Sequence, residues 1–189
     1  MASVEGEVFT AEVLARVMGT GEREMVQRLS SELDRRHRLV RAQAIERLGA
    51  RRISHYRFRN YLFQKYLYDS LDPVERAYLH EDVGNGLEAL YGEQESAISA
   101  IAPQLAWHFQ EAGITVKAVH YLHQAGDRAV QLSAYREGIT HLTKGLRLLE
   151  MLPAPGDAGR HLERDEQELA LQRALSLAWQ GLKGAQAPE

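Results

Sequence analysis

The sequence predicts a mainly α-helical chain with one small β hairpin in its first third. Three observations lead to this prediction. Leu, Ala, Glu and Arg, which are good helix formers, dominate the composition. Apolar residues recur at helical spacing, as Met25, Leu29 and Leu33 do. Glycines separate segments of about 15–20 residues, which is typical of antiparallel helices joined by tight turns.

The first part of the chain changes from helical periodicity to strand alternation. A helix is predicted over residues 9–18 with Thr10 as its N-cap, and a second helix over residues 22–37. β-Branched and aromatic residues then predict two short strands, residues 39–45 and 53–58, which an arginine-rich turn connects.

A further helix is predicted over residues 60–71, and because it is apolar on most sides we expect it to be well buried. Two helices followed by a two-stranded wing indicate a winged-helix-like domain over residues 1–72.

Strand signals are absent from residues 73–189, which are predicted to form antiparallel helical hairpins. Asp72 and Pro73 are a favourable N-cap and first helical residue. The predicted helices span residues 73–91, 96–112, 116–132, 135–152 and 160–183, with a kink or break at Pro103 and a C-terminal stop at Gly184.

A weak internal repeat lies in this second part. The pattern Ala118-Val119-x-x-Leu122-x-x-Ala125 recurs 20 residues later as Gly138-Ile139-x-x-Leu142-x-x-Gly145. It resembles a tetratricopeptide repeat, with helix A near residues 117–131 and helix B near residues 135–150. Glycines stand where this family usually has alanines, and its helix A tryptophan is absent. The resemblance implies a surface that binds other proteins.

The order of features also resembles STAND-type signal-transduction ATPases, in which a winged-helix segment and tetratricopeptide-like repeats follow the ATPase core. Many of these proteins carry a nucleotide cyclase or DNA-binding domain elsewhere. The resemblance is carried, in order, by Phe9-Thr10-Ala11-Glu12-Val13-Leu14-Ala15, Tyr56-Arg57-Phe58-Arg59, Tyr68-Asp69-Ser70-Leu71, Glu75-Arg76-Ala77-Tyr78-Leu79-His80, Leu105-Ala106-Trp107-His108-Phe109-Gln110-Glu111-Ala112-Gly113 and Lys183-Gly184-Ala185-Gln186-Ala187-Pro188-Glu189.

This resemblance implies that the chain is a fragment of a larger regulator and lacks the ATPase core. No G-x-x-x-x-G-K-[ST] motif is present to hold a nucleotide. The family usually has histidine after the Phe-Arg pair, whereas this chain has Asn60 there, so no nucleotide-sensing residue is assigned.

Composition narrows the classes of function. The chain has no cysteine, no signal peptide pattern and no apolar run of membrane-spanning length, so we expect a cytoplasmic protein without disulfides or thiolate metal sites. Residues 1–72 carry 13 basic and 10 acidic side chains, and residues 73–189 carry 10 and 16, so the two parts differ in the sign of their charge.

The strongest candidate site is a set of arginines. Nine arginines and one acid, Glu46, lie between Arg35 and Arg59. The predicted patch consists of Arg41, Arg47, Arg51, Arg52, Arg57 and Arg59. Such a patch grips nucleic-acid phosphates, docks on an acidic partner domain, or is merely a solvated face. Docking is favoured over DNA binding. A helix that recognises DNA is usually more basic than the helix before the wing, which has as many acids as bases until its end.

Other candidates are weaker. Trp107, Tyr121 and Tyr135 are candidate partner-binding residues, and burial in the core is the alternative. Four histidines of adjacent helices lack acids at ligand spacing, so neither a metal nor a cofactor is predicted; they are His108, His120, His123 and His141. Adjacent carboxylates such as Glu81 and Asp82 point to different helix faces and do not form an acid/base pair.

These observations predict a non-catalytic interaction and regulatory module that binds a protein partner or a neighbouring ATPase domain, with self-association through the last helix as a further possibility. The alternatives are a DNA-binding regulator that uses the basic wing of residues 35–59, and an enzyme built on the histidines.

Overall fold

The described part of the chain is mainly helical with one small antiparallel sheet, which confirms the predicted class. The computed structural model describes residues 1–153 and 158–185. The chain divides into two compact units, Met1–Glu93 and Gln94–Glu189. The helix that begins at Pro73 lies in the first unit, where it packs against the helices of residues 2–5 and 11–17.

The first unit contains three strands that form a sheet in the order β1-β3-β2, with both pairs antiparallel. Its elements are α1 Ala2–Glu5, β1 Val8–Thr10, α2 Ala11–Val17, α3 Glu22–Arg28, a π-helix Leu29–Arg36, β2 Val40–Leu48, β3 Arg51–Phe58, α4 Tyr61–Asp69 and α5 Pro73–Tyr91.

The prediction of a two-stranded wing was wrong by one strand. Val8–Thr10 pairs with β3, and so Phe9 and Thr10 lie in a strand rather than in the first helix. The Thr10 hydroxyl does not cap α2, because it donates to Glu5 Oε1 at 2.6 Å. A three-residue strand has no periodicity of its own, and pairing with a distant strand defines it.

The hairpin is also longer than predicted. Only Gly49 and Ala50 separate β2 from β3, and Gly49 has the positive φ of 59° that a two-residue hairpin turn needs. Most of the expected turn, residues 46–52, therefore belongs to the strands. The register shifts between Ala42 and Ala44, so Gln43 forms a β-bulge.

One face of the sheet packs against the helices of the first unit. Phe9, Tyr56 and Phe58 are buried there, with ring centroids of Phe9 and Phe58 5.1 Å apart. Tyr56 reaches the π-helix, where its hydroxyl lies 2.7 Å from Ser30 Oγ. This core fixes the base of the hairpin.

The prediction that the helix after β3 is well buried was wrong. α4 turns Phe63, Gln64, Leu67 and Tyr68 inward, while Tyr61 and Leu62, among others, are exposed. Its apolar residues surround the helix, but in the described part of the chain only one side has a neighbouring element.

The second unit is a series of antiparallel helices whose bounds agree with the prediction to within one residue through residue 151. They are α6 Glu95–Glu111, α7 Thr115–Gln131, α8 Tyr135–Met151 and α9 Ala158–Ala185. Pro103 lies inside α6 without ending it. The predicted stop at Gly184 was wrong, because α9 continues to Ala185; residues 186–189 lie outside the described part.

Helix α7 packs against both α8 and α9, so helices adjacent in the chain and helices two apart share one core. Val119, Leu142 and Leu171 are buried in it. Glycines permit the close approach: the backbone of Gly126 lies against Leu142, and that of Gly145 against Leu171.

Candidate functional site

The six predicted arginines do not form one patch, because the register of the hairpin divides them into three groups. Arg41 lies directly opposite Arg57, and Arg47 directly opposite Arg52. In a strand, successive residues alternate between the two faces of the sheet. From this alternation and the bulge, the two pairs lie on opposite faces and at opposite ends of the hairpin.

The first group lines a cavity of about 290 Å³ at the base of the hairpin, which we call the arginine pocket. Its lining residues are Glu7, Arg41, Arg57, Phe58 and Arg59. Arg57 Nε donates to Glu7 Oε1 at 2.8 Å.

Arg59 is held more firmly than Arg57. Its Nε donates to the Val40 carbonyl at 2.9 Å and its Nη2 to Asp34 Oδ1 at 2.7 Å. The hydrogen bond from Arg59 lowers the pKa of Asp34, so this carboxylate stays ionised. The guanidinium of Arg59 therefore has a fixed orientation at the pocket.

The second group is Arg51 alone, which makes a structural contact. Its guanidinium donates to the Ala89 carbonyl at 3.4 Å and to Glu93 Oε1 at 3.2 Å. Both acceptors lie at the C-terminal end of α5, where a cation is also favoured by the helix dipole. This contact ties the hairpin tip to α5 within the first unit.

The third group is the pair Arg47 and Arg52 at the tip. Both side chains are exposed, and neither makes an ion pair with any residue in the described part of the chain. Ile45 lies on the same face two pairs further in and is 73% exposed. The tip is thus a small basic and apolar surface open to solvent.

The three candidate aromatic residues of the second unit have different surroundings. Tyr121 is buried and stacks on Phe109 with centroids 5.7 Å apart, so it belongs to the core. Trp107 is half-buried beside His108. Tyr135 is half-buried, and its ring covers Gly181 of α9. The structure does not gather them into one groove.

A polar groove between α6 and α7 was not predicted. It has a volume of about 390 Å³, and its lining consists entirely of polar and charged residues: Glu95, Ser96, Ser99, Gln124, Asp127, Arg128 and Gln131. Within each helix these residues are spaced so that they share a face. Whether the two faces meet to form a groove depends on how α6 and α7 pack. The sequence carried no separate signal for it.

Two buried ionisable groups of the first unit were also missed. His80 is fully buried and lies 3.0 Å from the Tyr68 hydroxyl; burial, with a further contribution from Arg76, lowers its pKa to about 4. Burial raises the pKa of Glu5 to about 7, and the nearby Glu12 acts in the same direction. Neither group lines the arginine pocket.

Three of the candidate histidines contact residues of their own helices. His123 Nε2 lies 3.4 Å from Asp127, His141 Nε2 lies 3.5 Å from Glu137, and His120 contacts Gln124. In the part of the chain that the structure describes, no three His, Cys, Asp or Glu side chains are placed to hold a metal ion.

None of the described helices is both long and apolar enough to cross a membrane. No protein-family model, curated protein or solved structure matches the chain.

Proposed function

We propose that the chain is a non-catalytic interaction and regulatory module, in which a winged-helix-like unit is joined to a tetratricopeptide-like array that binds a protein partner. The observation that carries the proposal is the packing of α7 against both α8 and α9. Arrays of helical hairpins are built in this way, and they present extended grooves to partners.

The polar groove between α6 and α7 is the surface on which we place the partner. Glu95 and Asp127 offer carboxylates, and Arg128 offers a cation, so the groove suits a polar or charged segment rather than an apolar helix. Such a module acts by binding its partner with different affinity in two conformational states. No catalytic step is assigned to the chain. In the arrangement that the chain resembles, the output would belong to an ATPase or transcriptional regulator.

A photo-crosslinking amino acid tests this surface. It is introduced in cells at Ser99 or Gln131, both in the groove, and at Lys144 of α8 as an exposed control outside it. We expect one partner to be captured from both groove positions and not from Lys144. Asp127→Lys should abolish that capture, because it reverses a charge in the groove.

Equal capture from Lys144, or capture that survives Asp127→Lys, would remove the groove from the proposal. Failure to capture any protein from either groove position would count against the interaction module itself.

A DNA-binding regulator is the second candidate, and the exposed pair Arg47 and Arg52 favours it. Arg51 is an internal control, since it is already bound to Ala89 and Glu93. A labelled duplex is titrated at low and moderate salt and followed by anisotropy. DNA binding predicts salt-sensitive affinity that falls in R47A/R52A and persists in R51A; absence of a salt-sensitive complex rejects it.

A further inference from the structure

The arginine pocket contains more positive charge than the fold neutralises. Three arginines line it, and because Glu7 pairs with Arg57 and Asp34 pairs with Arg59, the positive charge of Arg41 has no counter-ion. Arg41 makes no hydrogen bond or ion pair with any described residue, although it lies directly opposite Arg57. Like charges at directly opposed positions of two strands destabilise a sheet. A bound anion would relieve this repulsion.

The hydrogen bonds at the pocket orient two guanidinium groups and leave donors over. Arg57 is held through Nε, and Arg59 through Nε and Nη2, so terminal N–H groups of both remain for a ligand. Arg41 adds a third guanidinium with all its donors available. Two arginines held by hydrogen bonds and one with all its donors available suit an oxyanion with several acceptor oxygens.

The size and the charges of the pocket select among oxyanions. Its volume of about 290 Å³ is just below the range of roughly 300–1,000 Å³ for ligand pockets, so it suits a small group. The three guanidinium groups offer donors to more acceptor oxygens than a carboxylate has, which favours a phosphate. The carboxylates of Glu7 and Asp34 flank the arginines and would repel the neighbouring phosphates of a nucleic-acid strand.

We propose that the arginine pocket binds a single phosphate group, either free or on a phosphorylated side chain. Arg57 and Arg59 fix its orientation, and Arg41 closes on it from β2. This inference goes beyond the interaction function, and because the pocket lies in the first unit, it stands or falls independently of the groove between α6 and α7.

The test uses inorganic phosphate as the probe at constant ionic strength, with binding followed by calorimetry and by the NMR signals of the arginine Nε–H groups. The decisive variant is Arg41→Gln, and the matched control is Arg47→Gln on the same strand. Both change the charge by one and both sites are exposed, but only Arg41 lines the pocket. Arg41 has no partner among the described residues, so we expect the variant to fold.

We expect saturable binding that Arg41→Gln weakens about tenfold or more and Arg47→Gln leaves within about twofold. If the site also accepts phosphorylated side chains, phosphoserine should compete with phosphate and serine should not. If phosphoserine does not compete, the site binds only the free ion. Acetate should bind more weakly than phosphate.

Three results would overturn the proposal: no saturable binding of phosphate, equal losses in the two variants, or acetate binding as tight as phosphate. A DNA duplex that binds more tightly than phosphate and is weakened alike by both substitutions would instead identify a general polyanion surface.

Discussion

Gly126 of α7 lies against the side chain of Leu142 of α8 so closely that a Cβ atom on residue 126 would overlap the leucine. Leu142 is fully buried and cannot move outward. Gly126→Ala should therefore lower the free energy of unfolding of the second unit by about 1–3 kcal/mol, despite the better helix propensity of alanine. Urea denaturation followed by circular dichroism measures the change.

Two other glycines serve as controls for this prediction. Gly184 has nothing within 4 Å of a Cβ, so Gly184→Ala should leave the stability unchanged or raise it. A Cβ on Gly181 would overlap the ring of Tyr135, but that ring is only half-buried and can move. Gly181→Ala should cost less than Gly126→Ala, and the opposite order would contradict the packing described for α7 and α8.

His80 and Glu5 should affect the stability of the first unit in opposite directions. The pKa of His80 falls from an ordinary value of 6.5 to about 4 on folding, so the unfolded chain binds the extra proton between these values and stability is lost as the pH falls. The pKa of Glu5 rises from 4.5 to about 7, so here the folded chain binds the extra proton and stability is lost as the pH rises.

Between pH 4.5 and 6.5 the two effects should largely cancel, because the shifts are of similar size. Each substitution should uncover the other group. In Glu5→Gln, stability should rise with pH across this range; in His80→Gln, it should fall. Urea midpoints at pH 4.5, 5.5 and 6.5 provide the measurement, and parallel pH profiles for the two variants would refute the assignment.

Asp72 should be worth more to the fold than Asp69, three residues earlier. Asp72 Oδ1 accepts from the backbone N–H groups of Val74 and Glu75 at 2.8 and 2.9 Å and so caps α5. Asp72→Ala should cost about 1 kcal/mol. Asp69 only pairs with Lys65 in an exposed position, and Asp69→Ala should cost less than about 0.5 kcal/mol. Thermal melts of the two variants compare them directly, and equal shifts would count against the cap.

The parts of the fold that local sequence governs were predicted well. Helix α5 has an N-cap and a proline at its start, and α6, α7 and α8 end at tight turns, so their bounds follow from neighbouring residues alone. Strand β1 was missed because its pairing partner lies some 45 residues away along the chain. The exposed side of α4 was missed because apolar composition does not reveal which faces have neighbours.

In the candidate site, too, local sequence predicts some features and distant contacts decide the others. A run of arginines is visible in the sequence, but its separation into groups is not. Arg57 is tied to Glu7 and Arg51 to Glu93, and both acids are remote in the chain from their partners. The bulge at Gln43 then decides which arginines share a face. These features depend on tertiary contacts. The sequence therefore predicts one basic patch, whereas the structure has an arginine pocket, a contact from Arg51 to α5 and an exposed pair at the hairpin tip.

The same bulge has a consequence for the behaviour of the chain in concentrated solution. β2 is an edge strand, and its side chains from Arg41 to Arg47 are exposed, including Ile45. A flat edge of this length would invite another strand and begin the growth of a fibril. Because Gln43 puts the donors and acceptors of the edge out of step, and Arg41 and Arg47 add like charges, an incoming copy would find no continuous ladder. One extra residue in the strand thus interrupts the edge of β2 along which another strand would pair.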